Sequence, residues 1–153
     1  SFWQDIKNEA TAAGTAFMIG SGETKVLTGS AINVDSSIYS SGGIQISGCS
    51  FTGQGSICAE KNIQLAGNTI KNNSSASVCI YSVNGDISFS TSGLTIYGTL
   101  YAPNGTIGIY ANNITIYGRV IAKNILITGT NVKIISGASD LDFMPGGTIS
   151  LCE

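Results

Sequence analysis

Residues 100–107 read Leu100-Tyr101-Ala102-Pro103-Asn104-Gly105-Thr106-Ile107, and twenty residues earlier the chain reads Ile80-Tyr81-Ser82-Val83-Asn84-Gly85-Asp86-Ile87. An apolar residue, a tyrosine, a small residue, Asn-Gly and Ile fall at matching places, so this stretch is one copy of an internal repeat. The next copy opens at the same offset as Val120-Ile121-Ala122-Lys123-Asn124, and Leu94-Thr95-Ile96-Tyr97-Gly98 returns as Ile114-Thr115-Ile116-Tyr117-Gly118. Upstream, residues 37–48 match residues 56–67 at an offset of nineteen, Ser37-Ile38-Tyr39 lying against Ser56-Ile57-Cys58. The copies start at Ile38, Ile57, Ile80, Leu100 and Val120, in steps of 19, 23, 20 and 20. The long step holds Asn72-Asn73-Ser74-Ser75, which reads as a looped-out corner. A weaker first copy begins near Phe17, with Val26-Leu27-Thr28-Gly29 as its later strand.

Within each copy the apolar residues alternate, as in Ile107-x-Ile109 and Ile114-x-Ile116, over three short runs separated by Gly and Asn. Period two means strands. A unit of about twenty residues cannot bury its apolar side alone, whereas copies stacked at about 4.8 Å close a continuous core. The expected fold is therefore an all-β parallel β-solenoid of about six coils, right-handed by the chirality rule for parallel crossovers. Residues 16–138 form the coils of a single domain. An antiparallel sandwich would not demand near-identical side chains every twenty residues.

Both ends of such a rod need covering, because an open coil presents unpaired backbone groups. Residues 1–15 are expected to be an N-terminal helical cap, with Phe2, Ile6 and Ala10 at helical spacing, lying across the first coil and packing Trp3 there. Residues 139–153 lose the repeat and are expected to close the last coil through Ile149 and Leu151.

Composition limits the chemistry. Seven Lys and Arg and nine Asp and Glu make 10% of 153 residues charged, against about 25% in an ordinary soluble domain. Seven dispersed cations and a net charge of -2 exclude a nucleic-acid footprint. The absence of histidine excludes imidazole bases, Ser-His and Cys-His pairs and His-ligated metals. No apolar run reaches the roughly eighteen residues of a helical membrane span. The opening at Ser1 without a signal-peptide pattern raises the expectation of an upstream segment that carries an anchor.

If Ile38, Ile57, Ile80, Leu100 and Val120 point inward, period two sends Tyr39, Cys58, Tyr81, Tyr101 and Ile121 outward as one column, and Tyr97 and Tyr117 form a second. Such rows suit sugar or partner binding, or simply stack from coil to coil. Asn62, Asn84, Asn104 and Asn124 recur near one corner and are expected to form a structural amide ladder. Carboxylates do not recur at one repeat position. Asp140 and Asp142, on one side of an extended segment, are the only weak calcium candidates, and an exposed polar tail accounts for them as well. No catalytic residue and no cofactor is indicated.

Four cysteines, Cys49, Cys58, Cys79 and Cys152, show no C-x-x-C spacing. Cys58 and Cys79 fall two residues out of column, about 8 Å apart between Cα atoms by strand geometry, beyond the roughly 7 Å a disulfide spans. Pairings of Cys49 stay open. Sequons at Asn72, Asn73, Asn104 and Asn113 follow from a composition rich in Asn, Ser and Thr. Thr95 and Thr115 make too short a row for an ice-binding face.

Ile96-Tyr97-Gly98-Thr99-Leu100-Tyr101-Ala102-Pro103-Asn104-Gly105-Thr106-Ile107 and Ile116-Tyr117-Gly118-Arg119-Val120-Ile121-Ala122-Lys123-Asn124-Ile125 resemble the Gly-x-Ile-x-Ala-x-Asn repeats of bacterial surface and pilus-assembly-associated β-solenoid domains. More loosely, they are similar to bactofilins, the polymer-forming cytoskeletal solenoids. The resemblance covers about residues 37–135 and carries no catalytic residues. The long step and the end segments depart from the shorter, regular coils of bactofilins. What it implies is a non-catalytic structural or adhesive module at the bacterial cell surface, anchored through an upstream segment, with envelope polysaccharide or another surface or pilus protein as partner. A carbohydrate-binding or carbohydrate-cleaving β-helix is the alternative, and a filament-forming scaffold a further one.

Overall fold

A computed structural model describes residues 1–67, 71–72, 78–136 and 139–141. Helix α1 (Phe2–Ala13) is followed by β1 (Ala16–Phe17), β2 (Thr24–Asn33), β3 (Ile38–Ser40), β4 (Gly43–Thr52), β5 (Ser56–Ala59), β6 (Ile63–Ala66) and β7 (Lys71–Asn72). Then come β8 (Val78–Ser82), β9 (Ile87–Phe89), β10 (Thr95–Ile109), β11 (Ile114–Ile127), β12 (Val132–Ser136) and β13 (Ser139–Leu141). Among the described residues every pairing but one is parallel, and the strands wind into a β-solenoid.

Each coil has three sides. Face one stacks Ala16, Tyr39, Cys58, Tyr81, Tyr101 and Ile121 in register, six strands deep. Face two stacks Lys25, Ile44, Ile63, Ile87, Ile107 and Ile125. Face three stacks Ser50, Lys71, Thr95, Thr115 and Lys133, with β2 beneath. The expected repeat starts Ile38, Ile57, Ile80, Leu100 and Val120 form one inward column. Ile57, Ile80 and Leu100 are fully buried, as are Ile46, Leu65, Phe89 and Ile109 on face two. Burying each such side chain contributes about 1.5–3 kcal/mol, which a single coil could not collect without its neighbours.

Glycine makes the corner between faces three and one. Gly98 and Gly118 sit at φ 150 and 152, inside continuous strands that turn without a loop. A Cβ on Gly118 would lie 1.7 Å from the Gly98 carbonyl oxygen, and one on Gly98 would lie 1.9 Å from that of Val78. Only glycine lets successive coils nest there.

Three expectations need correction. α1 does not lie across the first coil. It runs along the outside of face one, its C-terminal end beside β1 and β3 and its N-terminal residue Phe2 against Tyr81. The first coil's outer edge, β2, is blunted instead by two register shifts and by Lys25, whose Nζ lies 4.3 Å over the Phe17 ring. Asn72 is in strand β7, not in a looped corner; residues 73–75 lie outside the described residues. Finally, the four asparagines are not one ladder. Between Ala102 and Thr106 strand β10 holds three residues where β11 has one, so Thr106, not Asn104, pairs with Asn124. Of the expected C-terminal cap, β13 returns antiparallel on β12, while Ile149 and Leu151 lie outside the described residues.

Candidate functional site

Two outward tyrosine columns exist as the repeat implies, but their surroundings differ. On face one, Tyr39 and Cys58 are fully buried and Tyr81 nearly so, because α1 covers them. Ile6 and Ala10, one helical turn apart, point into this layer, with Trp3 packed at its margin. Phe2 stacks on Tyr81 at 5.5 Å between centroids, and Tyr81 meets Tyr101 at 4.7 Å. Lys7 lies 5.6 Å over the Tyr39 ring, and the Tyr39 hydroxyl donates to Glu60. Ser37 donates to Glu9 at 2.8 Å, tying the helix to the corner before β3. Gly14, left-handed at φ 77, ends α1 and turns the chain into β1. Tyr39 and Tyr81 therefore serve a second, smaller core, and only Tyr101 retains partial exposure.

The two thiols of this layer are shielded. Burial pushes Cys58 up to about 12 and Cys79 up to about 11. Cys58 stands opposite Tyr81 and Cys79 opposite Ser56, two residues out of column as the spacing implied. Both are free thiols, as is Cys49, which donates to the Leu27 carbonyl; Cys152 lies outside the described residues.

Face three is different. Tyr97 and Tyr117 stack in register, centroids 4.7 Å apart and planes 11° from parallel, and Tyr117 is 39% exposed. Beside them run Thr95, Thr115 and Lys133. Because the rings turn their faces toward each other, the exposed Tyr117 presents its edge rather than its face. Such a surface suits hydrogen bonding to a polar, hydroxyl-rich ligand better than flat stacking on one.

The corners reveal polar residues that sequence reasoning misplaced. Asn62 Oδ1 accepts from the Asp86 N–H at 2.9 Å, and Asp86 Oδ1 accepts from the Thr106 N–H at 2.8 Å. Asn112 Oδ1 likewise accepts from the Thr130 N–H. A side chain of one coil thus satisfies a backbone donor of the next. Asn84 and Asn104 belong to a neighbouring column, where Asn104 donates to the Val83 carbonyl. An amide-to-amide step runs from Asn131 to Asn113 at 2.8 Å, both residues left-handed. Its signal was the eighteen-residue spacing of two Asn residues at corners, the step that face two takes between Ile107 and Ile125.

Asp140 sits on β13 opposite Ile135, and Asp142 lies outside the described residues. Among the described residues no group of three His, Cys, Asp or Glu converges as a metal site, and no helix is long and apolar enough to cross a membrane. Comparison with known proteins returns no matching family model, no similar curated protein and no similar solved structure.

Proposed function

We propose that this chain is a structural or adhesive module of a bacterial cell envelope or pilus, a non-catalytic rod engaging its partner through face three. The observation that carries this reading is the Tyr97–Tyr117 stack, with Tyr117 exposed and Tyr97 half-buried on a parallel sheet, and Thr95, Thr115 and Lys133 alongside. Tyrosine offers contact area at little entropic cost, and the sheet fixes its position before any partner arrives.

Envelope polysaccharide is the partner class that ring edges and hydroxyls favour, which makes carbohydrate binding the second reading. Retention of the purified chain on immobilised envelope polysaccharides and on pilus or surface proteins tests both. Tyr117→Ala and Tyr97→Ala are expected to cut retention at least tenfold. Retention unchanged in both variants removes face three from the function. Filament assembly through the coil ends predicts polymers in sedimentation and electron microscopy, whereas the blunted β2 edge favours a discrete particle.

A further inference from the structure

We propose that the ligand of face three is an acidic polysaccharide, one of whose sugar carboxylates pairs with Arg119 at the corner between faces three and one. This rests on the reading of face three as a binding surface and names the ligand class. The outward side chains of β11 run on past Tyr117. Period two puts Thr115, Tyr117, Arg119, Ile121 and Lys123 on one side, and the burial agrees: Tyr117, Arg119 and Lys123 are exposed, while Ile116 and Ala122 are buried. On β10, Thr95, Tyr97, Thr99 and Tyr101 stand in register with the first four of these and alternate with the buried Ile96, Gly98 and Leu100. Arg119 therefore lies beside Thr99 in the middle of a two-strand strip, with the Tyr97–Tyr117 stack on one side and Tyr101 on the other.

Charge decides what this strip takes. Between Asp86 and Asp140 the sequence holds Arg119, Lys123 and Lys133 and no carboxylate, so the stretch is +3 in a chain of net charge -2. The column of Arg119 supplies no acid either, since Thr99, Cys79 and Ser56 follow it in register. Asp140 stands opposite Ile135, which in turn stands opposite Tyr117, two strands away. A guanidinium is a planar fork that receives a carboxylate through two parallel hydrogen bonds. An ion pair in water contributes little alone, so the anion must arrive on a ligand that also meets the groups beside it. Those groups are the hydroxyls of Thr99, Thr115 and Tyr117, which both donate and accept and so match the hydroxyls of a sugar ring.

Alginate, a polymer of uronic acids, is the probe. Its retention of the protein is compared with that of alginate whose carboxyl groups have been reduced to alcohols, and with that of polyglutamate, which carries carboxylates without sugar rings. Alginate is expected to bind about tenfold more tightly than either. Arg119→Gln should remove that advantage without moving the urea midpoint, because Arg119 is exposed. Lys61→Gln, which deletes a charge outside the strip, should leave it in place. Equal losses in the two variants, or polyglutamate held as well as alginate, would mean that net charge alone acts and would overturn the site. Reduced alginate held as tightly as alginate, with binding lost in Tyr117→Ala, would keep face three as a carbohydrate surface and overturn the acidic ligand. Failure of alginate to bind at all overturns it as well, whatever other partner face three engages.

Discussion

The Phe2 ring lies stacked on Tyr81, 5.5 Å between centroids and 15° from parallel, although Phe2 opens α1 and Tyr81 lies far along the chain in β8. This contact locates α1 as a clamp along the rod. It bridges the strands carrying Tyr39, Cys58 and Tyr81, so each coil beneath it is held to the next by something other than ladder hydrogen bonds.

Ile6 is the buried anchor of that clamp, 5% exposed. Ile6→Ala is expected to cost about 2–4 kcal/mol, the transfer term plus a cavity that the rigid sheet cannot collapse into. The urea midpoint measures this loss. Cys58 should also become reactive to a thiol reagent at rates the parent does not show, since α1 is what shields it. A shift in midpoint without any gain in thiol reactivity would mean that the helix stays docked.

Alkaline pH should loosen the same layer. Desolvation raises Cys58 from 9.0 to about 12, Cys79 from 9.0 to about 11 and Tyr81 from 10.0 to about 12. Each is neutral when protonated, and the folded protein keeps these protons at pH values where the unfolded chain has released them. Their contribution to stability is therefore whole below about pH 9 and is lost as pH rises through 11 and 12. Urea midpoints between pH 8 and 12 should fall more steeply for the parent than for a Cys58→Ala, Cys79→Ala double variant. Parallel curves would contradict this account.

Two glycines separate backbone strain from lack of space. Gly93 and Gly118 both have positive φ, 82 and 152, but a Cβ on Gly93 meets nothing within 4 Å, whereas one on Gly118 meets the Gly98 carbonyl at 1.7 Å. Gly93→Ala should cost about 1–2 kcal/mol, the left-handed penalty alone. Gly118→Ala must also pry two coils apart and should cost about 3 kcal/mol or more. Similar midpoints for the two variants would refute the nested corner.

The inward columns were legible because a solenoid repeats its environment, so the same apolar residue recurs wherever the same wall must be filled; Ile57, Ile80 and Leu100 spell that out directly. The seat of α1 was not legible. A 3.6-residue period in Phe2, Ile6 and Ala10 says which side of a helix is buried and nothing about whether an end or a flank buries it. The asparagine column failed for a related reason: a constant sequence offset implies a constant register only where no bulge intervenes, and Pro103-Asn104-Gly105 inserts one. Tyr39 and Tyr81 point outward from the coil core, and that side is the inside of the second core beneath α1.

The Tyr97–Tyr117 pair allows structural and binding roles to be weighed against each other. A stacked aromatic pair adds about 0.5–1.5 kcal/mol beyond the area it buries, so Tyr117→Ala should lower stability modestly and Tyr117→Phe hardly at all. If the column only braces adjacent coils, Phe replaces Tyr without loss of any kind. If the Tyr117 hydroxyl engages a ligand, Tyr117→Phe keeps the urea midpoint and loses several-fold in retention on the polysaccharide. The Phe variant is thus the decisive one, because it preserves the 4.7 Å stack and removes only the hydroxyl. Full retention by Tyr117→Phe together with a lowered midpoint for Tyr117→Ala would assign the pair to bracing alone.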